Sequence, residues 1–186
     1  MKPPDYCVLV LTGSMGAGKT TLMAEAADLL TQRRIPHAAV DLDMLGFALL
    51  PAASAASDER SEPGMSASLD RLMYLNLADV WENYRLAGVS RLIVARAVER
   101  PELPLLKRTI GNAQLTICRI RAPLEAMETR VRLREQGVFQ DTFVKRVAEL
   151  ERLLDEAALE DCAVVNDGTQ SITDVARQIL TTAGWL

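Results

Sequence analysis

The sequence predicts an α/β domain in three layers, with a parallel sheet between two layers of helices. Apolar segments of strand length alternate along the chain with longer segments whose apolar residues recur at helical spacing. The strand segments are near-continuous aliphatic runs, such as Val-Leu-Val-Leu after Cys7, which is typical of strands buried on both faces. Such an alternation favours a parallel sheet with helices on both sides. The length of 186 residues predicts one domain over 1–186.

The element order follows from this alternation. We expect strands over residues 6–11, 37–41, 91–96, 114–120 and 162–165. We expect helices from Thr20 onward, over 69–86, over 102–108, after Pro123, over 140–158 and over 172–182. Residues 50–68 lack periodicity and are rich in Ala, Ser, Pro and charge, which predicts a mobile segment.

Composition and charge argue against several classes of function. The chain has 21 Lys and Arg against 25 Asp and Glu, a net charge of −4, and only 4% aromatic residues. This balance disfavours a nucleic-acid binder that uses a basic surface or stacked aromatic rings. The apolar runs are too short to span a membrane and no signal peptide is recognisable, so we expect a cytoplasmic protein. We expect it to be a monomer or a homodimer. Cys7, Cys118 and Cys162 lie far apart, which predicts buried thiols rather than a disulfide.

One motif carries a specific chemistry. Residues 13–20, Gly-Ser-Met-Gly-Ala-Gly-Lys-Thr, match G-x-x-x-x-G-K-[ST], directly after a predicted strand and before a predicted helix. In such a phosphate-binding loop (P-loop), glycines let backbone N–H groups point at phosphate oxygens, and the helix N-terminus favours negative charge. Lys19 is expected to reach the terminal phosphates and Thr20 to hold Mg²⁺. The predicted nucleotide-binding residues in this region are Gly13, Ser14, Met15, Gly16, Ala17, Gly18, Lys19, Thr20 and Thr21.

Two aspartates follow the second predicted strand. Asp41 and Asp43 lie at its carboxyl end, where open α/β sheets bind their ligands. Strand alternation predicts that both carboxylates point to the same side. An acceptor hydroxyl needs a nearby proton acceptor, which a carboxylate supplies. The alternative is a pair of solvated acids in a turn.

The P-loop, the Asp-Leu-Asp triplet and the element order resemble the small P-loop kinases. These include nucleoside monophosphate, shikimate, gluconate and adenylyl-sulfate kinases and chloramphenicol phosphotransferase-like proteins. The resemblance covers nearly the whole chain in element order, and implies a P-loop NTPase fold with strand order 2-3-1-4-5, ATP and Mg²⁺. The triplet is similar to the D-x-D of shikimate kinases, which implies a catalytic role for Asp41 and an acceptor contact for Asp43. The triplet also resembles the D-G-D of gluconate and adenylyl-sulfate kinases, but Leu42 stands in the place of that glycine, which leaves the exact family open.

The run Arg130-Val-Arg-Leu-Arg134 resembles the start of the lid in gluconate and related kinases. The resemblance implies a lid over 130–142 whose arginines cover the transferred phosphoryl group, and arginine suits phosphate oxygens. Arg130 and Arg134 are four residues apart and share a helix face, whereas Arg132 points elsewhere. We expect Arg134 to act in catalysis and Arg130 in nucleotide binding. The alternative is a solvated basic face that pairs with neighbouring glutamates.

Roles for further polar residues follow from their positions in the predicted strands and helices. Arg96 closes the third strand and is predicted to hold a group of the acceptor, with a surface ion pair to Glu99 as the alternative. Asn76 lies on the apolar face of its helix, where it either satisfies a backbone group or points into the acceptor cleft. His37 lies at the wrong end of its strand for catalysis and is predicted to be structural. The loop over 167–169 resembles the one that passes the adenine ring in these kinases.

The sequence therefore predicts an ATP-dependent kinase that transfers the γ-phosphoryl group to a hydroxyl of a small molecule. No N-K-x-D signature is present, which disfavours a regulatory GTPase. No acid ends the third strand, which disfavours a motor or remodelling ATPase. Two alternatives stay open: a nucleotide-binding switch or accessory ATPase without an acceptor, and an antibiotic-inactivating kinase. The segment over 50–68 and the helix after it are expected to form the acceptor side and to move on binding.

Overall fold

The computed structural model describes residues 6–48, residue 50 and residues 67–186. Most of the segment predicted to be mobile, residues 51–66, lies outside this part of the chain, and so do residues 1–5 and 49. The following helix starts at Ala67, two residues before the predicted start. Residues 67 and 68, which were predicted to belong to the irregular segment, are therefore helical. The single domain over 1–186 stays a prediction.

In the residues that the structure describes, five parallel strands form one sheet. They are β1 (Cys7–Thr12), β2 (Ala38–Asp41), β3 (Arg91–Ala95), β4 (Gln114–Arg121) and β5 (Cys162–Val165). Their order is β2-β3-β1-β4-β5, which confirms the predicted order. The central strand β1 pairs with β3 and β4, so that Val10 lies opposite both Val94 and Ile117.

Seven helices occur in the described part of the chain. They are α1 (Lys19–Gln32), α2 (Leu42–Leu45), α3 (Ala67–Leu86), α4 (Leu103–Ile110), α5 (Leu124–Arg134), α6 (Gln140–Ala157) and α7 (Ile172–Thr182). A 3-10 turn, Arg100–Glu102, precedes α4. The one-turn helix α2 was not predicted, because four residues are too few to show an apolar period.

Alternation along β1 divides the core into two layers. Leu9 and Leu11 are fully buried against one layer, which α1, α5, α6 and α7 contribute. Val8 and Val10 point to the opposite face and pack with α3 and α4. Helices therefore cover both faces of the sheet, as the aliphatic strand runs predicted.

Of the three cysteines predicted to be buried thiols, Cys118 is buried, whereas Cys7 and Cys162 are half-buried. Cys118 and Cys162 lie opposite each other on β4 and β5 as free thiols, and the three cysteines form no disulfide. Burial raises the pKa of the Cys118 thiol, and the neighbouring Cys162 raises it further. Among the described helices, none combines the length and the hydropathy that crossing a bilayer requires.

Candidate active site

The P-loop connects β1 to α1 and lies at the carboxyl end of the sheet. Gly18 immediately precedes α1 with φ +100°, and Gly16 has φ +78°, a region that favours glycine. A Cβ on Gly16 would lie 2.4 Å from the Met127 carbonyl oxygen, and a Cβ on Gly18 2.4 Å from Asn166 Nδ2. These two glycines are therefore needed both for the turn and for close packing of the loop against α5 and the end of β5.

Three side chains form hydrogen bonds that fix the loop to distant parts of the sequence. Ser14 Oγ is buried and donates to the Val147 carbonyl oxygen at 2.8 Å. Asn166 Nδ2 donates to the Ala17 carbonyl oxygen at 2.8 Å. Arg130 spans both elements, because Nη1 donates to the carbonyl oxygen of Gly16 and Nη2 to that of Asn166, each at 3.1 Å. The Ser14 side chain is thus directed to α6, and a backbone contact between Ser14 and phosphate stays a prediction.

Asn166 contacts the P-loop but was not among the predicted site residues. It directly follows β5, and its side chain is almost fully buried under the P-loop. The one signal in the sequence is its place at the carboxyl end of a strand, just before the loop over 167–169.

Lys19 folds back onto the loop. Its Nζ donates to the carbonyl oxygens of Gly13 and Ser14, both at 3.0 Å. Burial lowers the pKa of Lys19 to about 8, although the carboxylates of Asp43 and Asp41 act in the opposite direction. The ammonium group is therefore held close to the expected phosphate position in surroundings that do not fully compensate its charge.

Thr20 and Asp41 join the P-loop to β2. Thr20 Oγ1 donates to Asp41 Oδ2 at 2.7 Å, while Asp41 Oδ1 accepts from the Asp43 backbone N–H at 3.2 Å. The second bond caps α2, which is why the chain turns directly after the strand. A hydroxyl and a carboxylate side by side supply the hard oxygen ligands that Mg²⁺ prefers, so these residues fit such an ion.

The prediction that Asp43 continues the extended chain of β2 was wrong. Asp43 lies in the first turn of α2 and not in extended chain. Its carboxylate reaches the Arg96 guanidinium, and both aspartates lie near enough to Lys19 to raise its pKa. The two carboxylates thus converge because of the helix cap, not because of a period of two.

Arg96 lies at the centre of a carboxylate cluster that also contains Asp43, Asp70 and Glu102. Its guanidinium contacts Asp43, Asp70 Oδ1 at 3.1 Å and Glu102 Oε1 at 2.6 Å, and only 7% of the residue is exposed. The alternative pair with Glu99 does not form. The Glu102 carboxylate takes that place because its other oxygen accepts from the Glu99 backbone N–H at 2.9 Å.

Burial governs the ionisation of this cluster. Burial raises the pKa of Glu102 and of Asp70, and the Arg96 charge opposes both changes. For Arg96 itself burial acts to lower the pKa, but the Glu102 and Asp43 carboxylates raise it overall. The guanidinium therefore stays charged, and the charge is already compensated by the protein.

Asn76 and His37 take up backbone contacts. Asn76 Nδ2 donates to the Leu45 carbonyl oxygen at 2.8 Å, which is the first of the two predicted alternatives. A direct contact between Asn76 and the acceptor stays a prediction. The His37 ring nitrogen Nδ1 lies 2.8 Å from the Ile35 carbonyl oxygen at the opposite end of β2, in agreement with a structural role.

The arginines of α5 lie in different surroundings. Arg130 packs on the P-loop, as described above, whereas Arg134 is exposed and its Nε donates to Glu135 Oε1 at 2.7 Å. Arg134 still lies close enough to lower the pKa of Lys19. Arg132 points toward Asp141, with 3.9 Å between Nη1 and Oδ1. The assignment of Arg134 to catalysis and the lid over 130–142 stay predictions.

A cavity of about 220 Å³ opens beside the loop. Residues from α1, α5 and the chain after β5 line it: Gly18, Thr21, Arg130, Asn166, Gly168, Gln170 and Ile172. It thus combines Thr21 and Arg130 with the loop expected to pass the adenine ring. A second cavity, of about 460 Å³, lies along Leu124 and α6 and contains none of the predicted site residues.

Several of the solved structures that this chain resembles in fold are kinases. A shikimate kinase from Acinetobacter baumannii in complex with shikimate has a TM-score of 0.61 and 16% identity, over 95% of this chain and 92% of that one. The Mycobacterium tuberculosis APS kinase in complex with AMPPNP and APS has a TM-score of 0.61 and 16% identity, over 96% and 98%. A sugar kinase from Janibacter has a TM-score of 0.60 and 22% identity, over 95% and 93%.

The chain has the fold of the small P-loop kinases. No protein-family model matches it, and no curated protein matches its sequence. The structural likeness therefore shows the fold, and the chemistry of this chain depends on the residues at its own site.

Proposed function

We propose that this protein is an ATP-dependent phosphotransferase that moves the γ-phosphoryl group of ATP to a hydroxyl of a small molecule. The observation that carries the proposal is the contact between Thr20 Oγ1 and Asp41 Oδ2, 2.7 Å long, beside Lys19. It brings the hydroxyl expected to hold the metal together with a carboxylate at the carboxyl end of β2, where the acceptor is expected.

On the nucleotide side, the chain supplies positioning and positive charge. The backbone N–H groups of the loop and the N-terminus of α1 favour phosphate oxygens, and Lys19 adds a cation. Bound Mg²⁺, held by Thr20 and Asp41, would neutralise charge on the β- and γ-phosphates. Arg130 keeps Gly16 and Asn166 in place and lines the cavity of about 220 Å³, which suits the rest of the nucleotide.

On the acceptor side, Asp41 is the group that orients or deprotonates the hydroxyl. It is half-buried and fixed at both carboxylate oxygens, to Thr20 and to the Asp43 backbone, so its position is well defined. The proton of the acceptor hydroxyl passes to this carboxylate as the oxygen attacks the γ-phosphorus and ADP leaves. Arg134, which is exposed, closes over the transferred group in this proposal.

The test is ADP release from ATP and Mg²⁺, measured with and without a mixed library of small hydroxyl compounds. We expect the library to raise the rate for the wild-type protein, and Lys19→Ala to abolish the response with the fold intact. Asp41→Asn should bind ATP within a few-fold of wild type but turn over about 100-fold more slowly. Tight ATP binding without library-stimulated turnover would favour a switch instead. Unchanged turnover in Lys19→Ala would contradict the mechanism.

A further inference from the structure

We infer that the phosphoryl acceptor is an uncharged or amine-bearing hydroxyl compound, and that it does not approach the site with a carboxylate, phosphate or sulfate. This inference rests on the proposed function and concerns the acceptor side of the same site. It is carried by the three carboxylates around Arg96 and by the exposed apolar side chains that follow Asp43 in the chain.

Arg96, the cation predicted to hold the acceptor, is already paired with carboxylates of the protein. Arg96 directs Nε and Nη2 to Glu102, Nη2 also to Asp70, and Nη1 to Asp43. Guanidinium has five N–H donors in a fixed fork, so these contacts leave little capacity for a carboxylate of the acceptor. In the described part of the chain, no other Lys or Arg forms an ion pair with Asp43 or Asp70.

The cluster has more negative than positive charge, and the excess faces outward. One guanidinium balances three carboxylates only in part. The side chains of Arg96 and Glu102 are each 8% exposed, whereas that of Asp43 is 58% exposed and that of Asp70 22%. An incoming molecule therefore meets carboxylates before it meets the guanidinium, which repels an anion and attracts an ammonium group.

The buried side of the cluster adds Lys19 and Tyr74. Lys19 lies near Asp43, but its ammonium group donates to P-loop carbonyl oxygens and is assigned to the phosphates of the nucleotide. Tyr74 is 2% exposed, and its hydroxyl has no hydrogen-bond partner among the described residues. Burial raises the pKa of Tyr74, and the nearby Glu102 raises it further, so this hydroxyl stays a neutral donor. It adds no positive charge for an anionic acceptor.

Two exposed apolar side chains closely follow Asp43 in the chain. Met44 is 69% exposed and Phe47 is 89% exposed, and both follow Asp43 within four positions. Such side chains favour an acceptor with uncharged surface and give no hydrogen bonds to a hydrated anion.

The test uses three pools of hydroxyl compounds, separated by charge at pH 7.5, with ATP, Mg²⁺ and ADP release as the signal. The pools contain amino sugars and aminocyclitols, uncharged polyols and aryl alcohols, and hydroxy acids that include shikimate and gluconate. We expect the cationic or the uncharged pool to exceed the anionic pool by about tenfold or more. An equal or larger response to the anionic pool would overturn the inference but leave the kinase proposal standing. If no pool raises ADP release, the proposed function fails and this inference fails with it.

A variant that replaces one carboxylate of the cluster by an uncharged amide separates the effect of the cluster from other sources of selectivity. Asp70→Asn removes one excess negative charge, and we expect it to raise the rate with the anionic pool, relative to the cationic pool, by about fivefold. Asp79→Asn changes an exposed residue of the same helix and should leave that ratio unchanged. Thermal unfolding of both variants checks that the fold is retained. An unaltered ratio in Asp70→Asn would contradict the role given to the cluster.

Discussion

Replacement of Lys19 by methionine is expected to stabilise the protein without nucleotide while it removes nucleotide binding. Lys19 keeps its charge in a largely desolvated place, and burial lowers its pKa from 10.5 to about 8. The charged form is therefore less stable in the folded than in the unfolded chain. Methionine has a similar length and no charge, so the variant avoids this cost.

The magnitude follows from the pKa. Each pKa unit corresponds to about 1.36 kcal/mol, so a decrease from 10.5 to about 8 sets an upper limit of about 3 kcal/mol. Methionine also loses the two Nζ bonds to the carbonyl oxygens of Gly13 and Ser14. Each such bond contributes about 1 kcal/mol, so we expect a net gain of about 1–2 kcal/mol in the free energy of unfolding at pH 7.

The pH dependence distinguishes this explanation from a packing effect. Above pH 8 the folded protein loses the Lys19 proton while the unfolded chain retains it until about pH 10.5. The unfolded state then binds more protons, so wild-type stability gains with rising pH from this group, and the advantage of Lys19→Met shrinks. Urea unfolding of both proteins at pH 7, 8, 9 and 10 measures the difference.

Lys107→Met, at an exposed position of α4, is the matched control and should show a small difference that does not follow this pH course. ATP with Mg²⁺ should raise the melting temperature of wild type and of Lys107→Met but not of Lys19→Met. A Lys19→Met protein that is less stable than wild type by the same amount at every pH would refute the reasoning.

Two further predictions concern the packing of the P-loop. Gly16→Ala should weaken ATP binding about tenfold or more and lower the free energy of unfolding by about 1–3 kcal/mol, because the new Cβ would meet the Met127 carbonyl oxygen and φ is positive. Calorimetric titration checks the affinity, with Gly111→Ala as the control at a glycine of positive φ that lies in open space outside the predicted lid. Equal ATP affinities of Gly16→Ala and wild type would be the contrary result. Asn166→Leu removes the donor to the Ala17 carbonyl oxygen. It should lower the free energy of unfolding in urea by about 1–3 kcal/mol and should also weaken ATP binding. Wild-type affinity in that variant would show that the bond does not shape the loop.

The part of the site that sequence predicts well depends on local backbone chemistry. The spacing of glycines and lysine in the P-loop determines a turn and a helix start, so Lys19 and Thr20 could be placed without knowledge of any other element. The aliphatic strand runs likewise determined the layers, because a strand buried on both faces needs a helix on each side.

The part that sequence predicts poorly depends on contacts between distant segments. Asn166 reaches Ala17 across 149 positions, and no local pattern marks such a partner. Arg96 has carboxylates from three other segments within reach, and its choice of Glu102 over Glu99 follows from packing around the 3-10 turn. Asp43 was placed beside Asp41 for the wrong reason, since the one-turn helix α2 is set by a side-chain cap.

The central claim is that the γ-phosphoryl group leaves ATP for an organic hydroxyl under the control of Lys19 and Asp41. The most direct measurement supplies γ-labelled ATP, Mg²⁺ and the charge-separated pools to the wild-type protein, and separates labelled organic product from labelled inorganic phosphate. The account predicts organic product in amounts equal to the ADP formed, none with Lys19→Ala, and strongly reduced amounts with Asp41→Asn. Label found in inorganic phosphate alone, or organic product formed by Lys19→Ala at the wild-type rate, would contradict it.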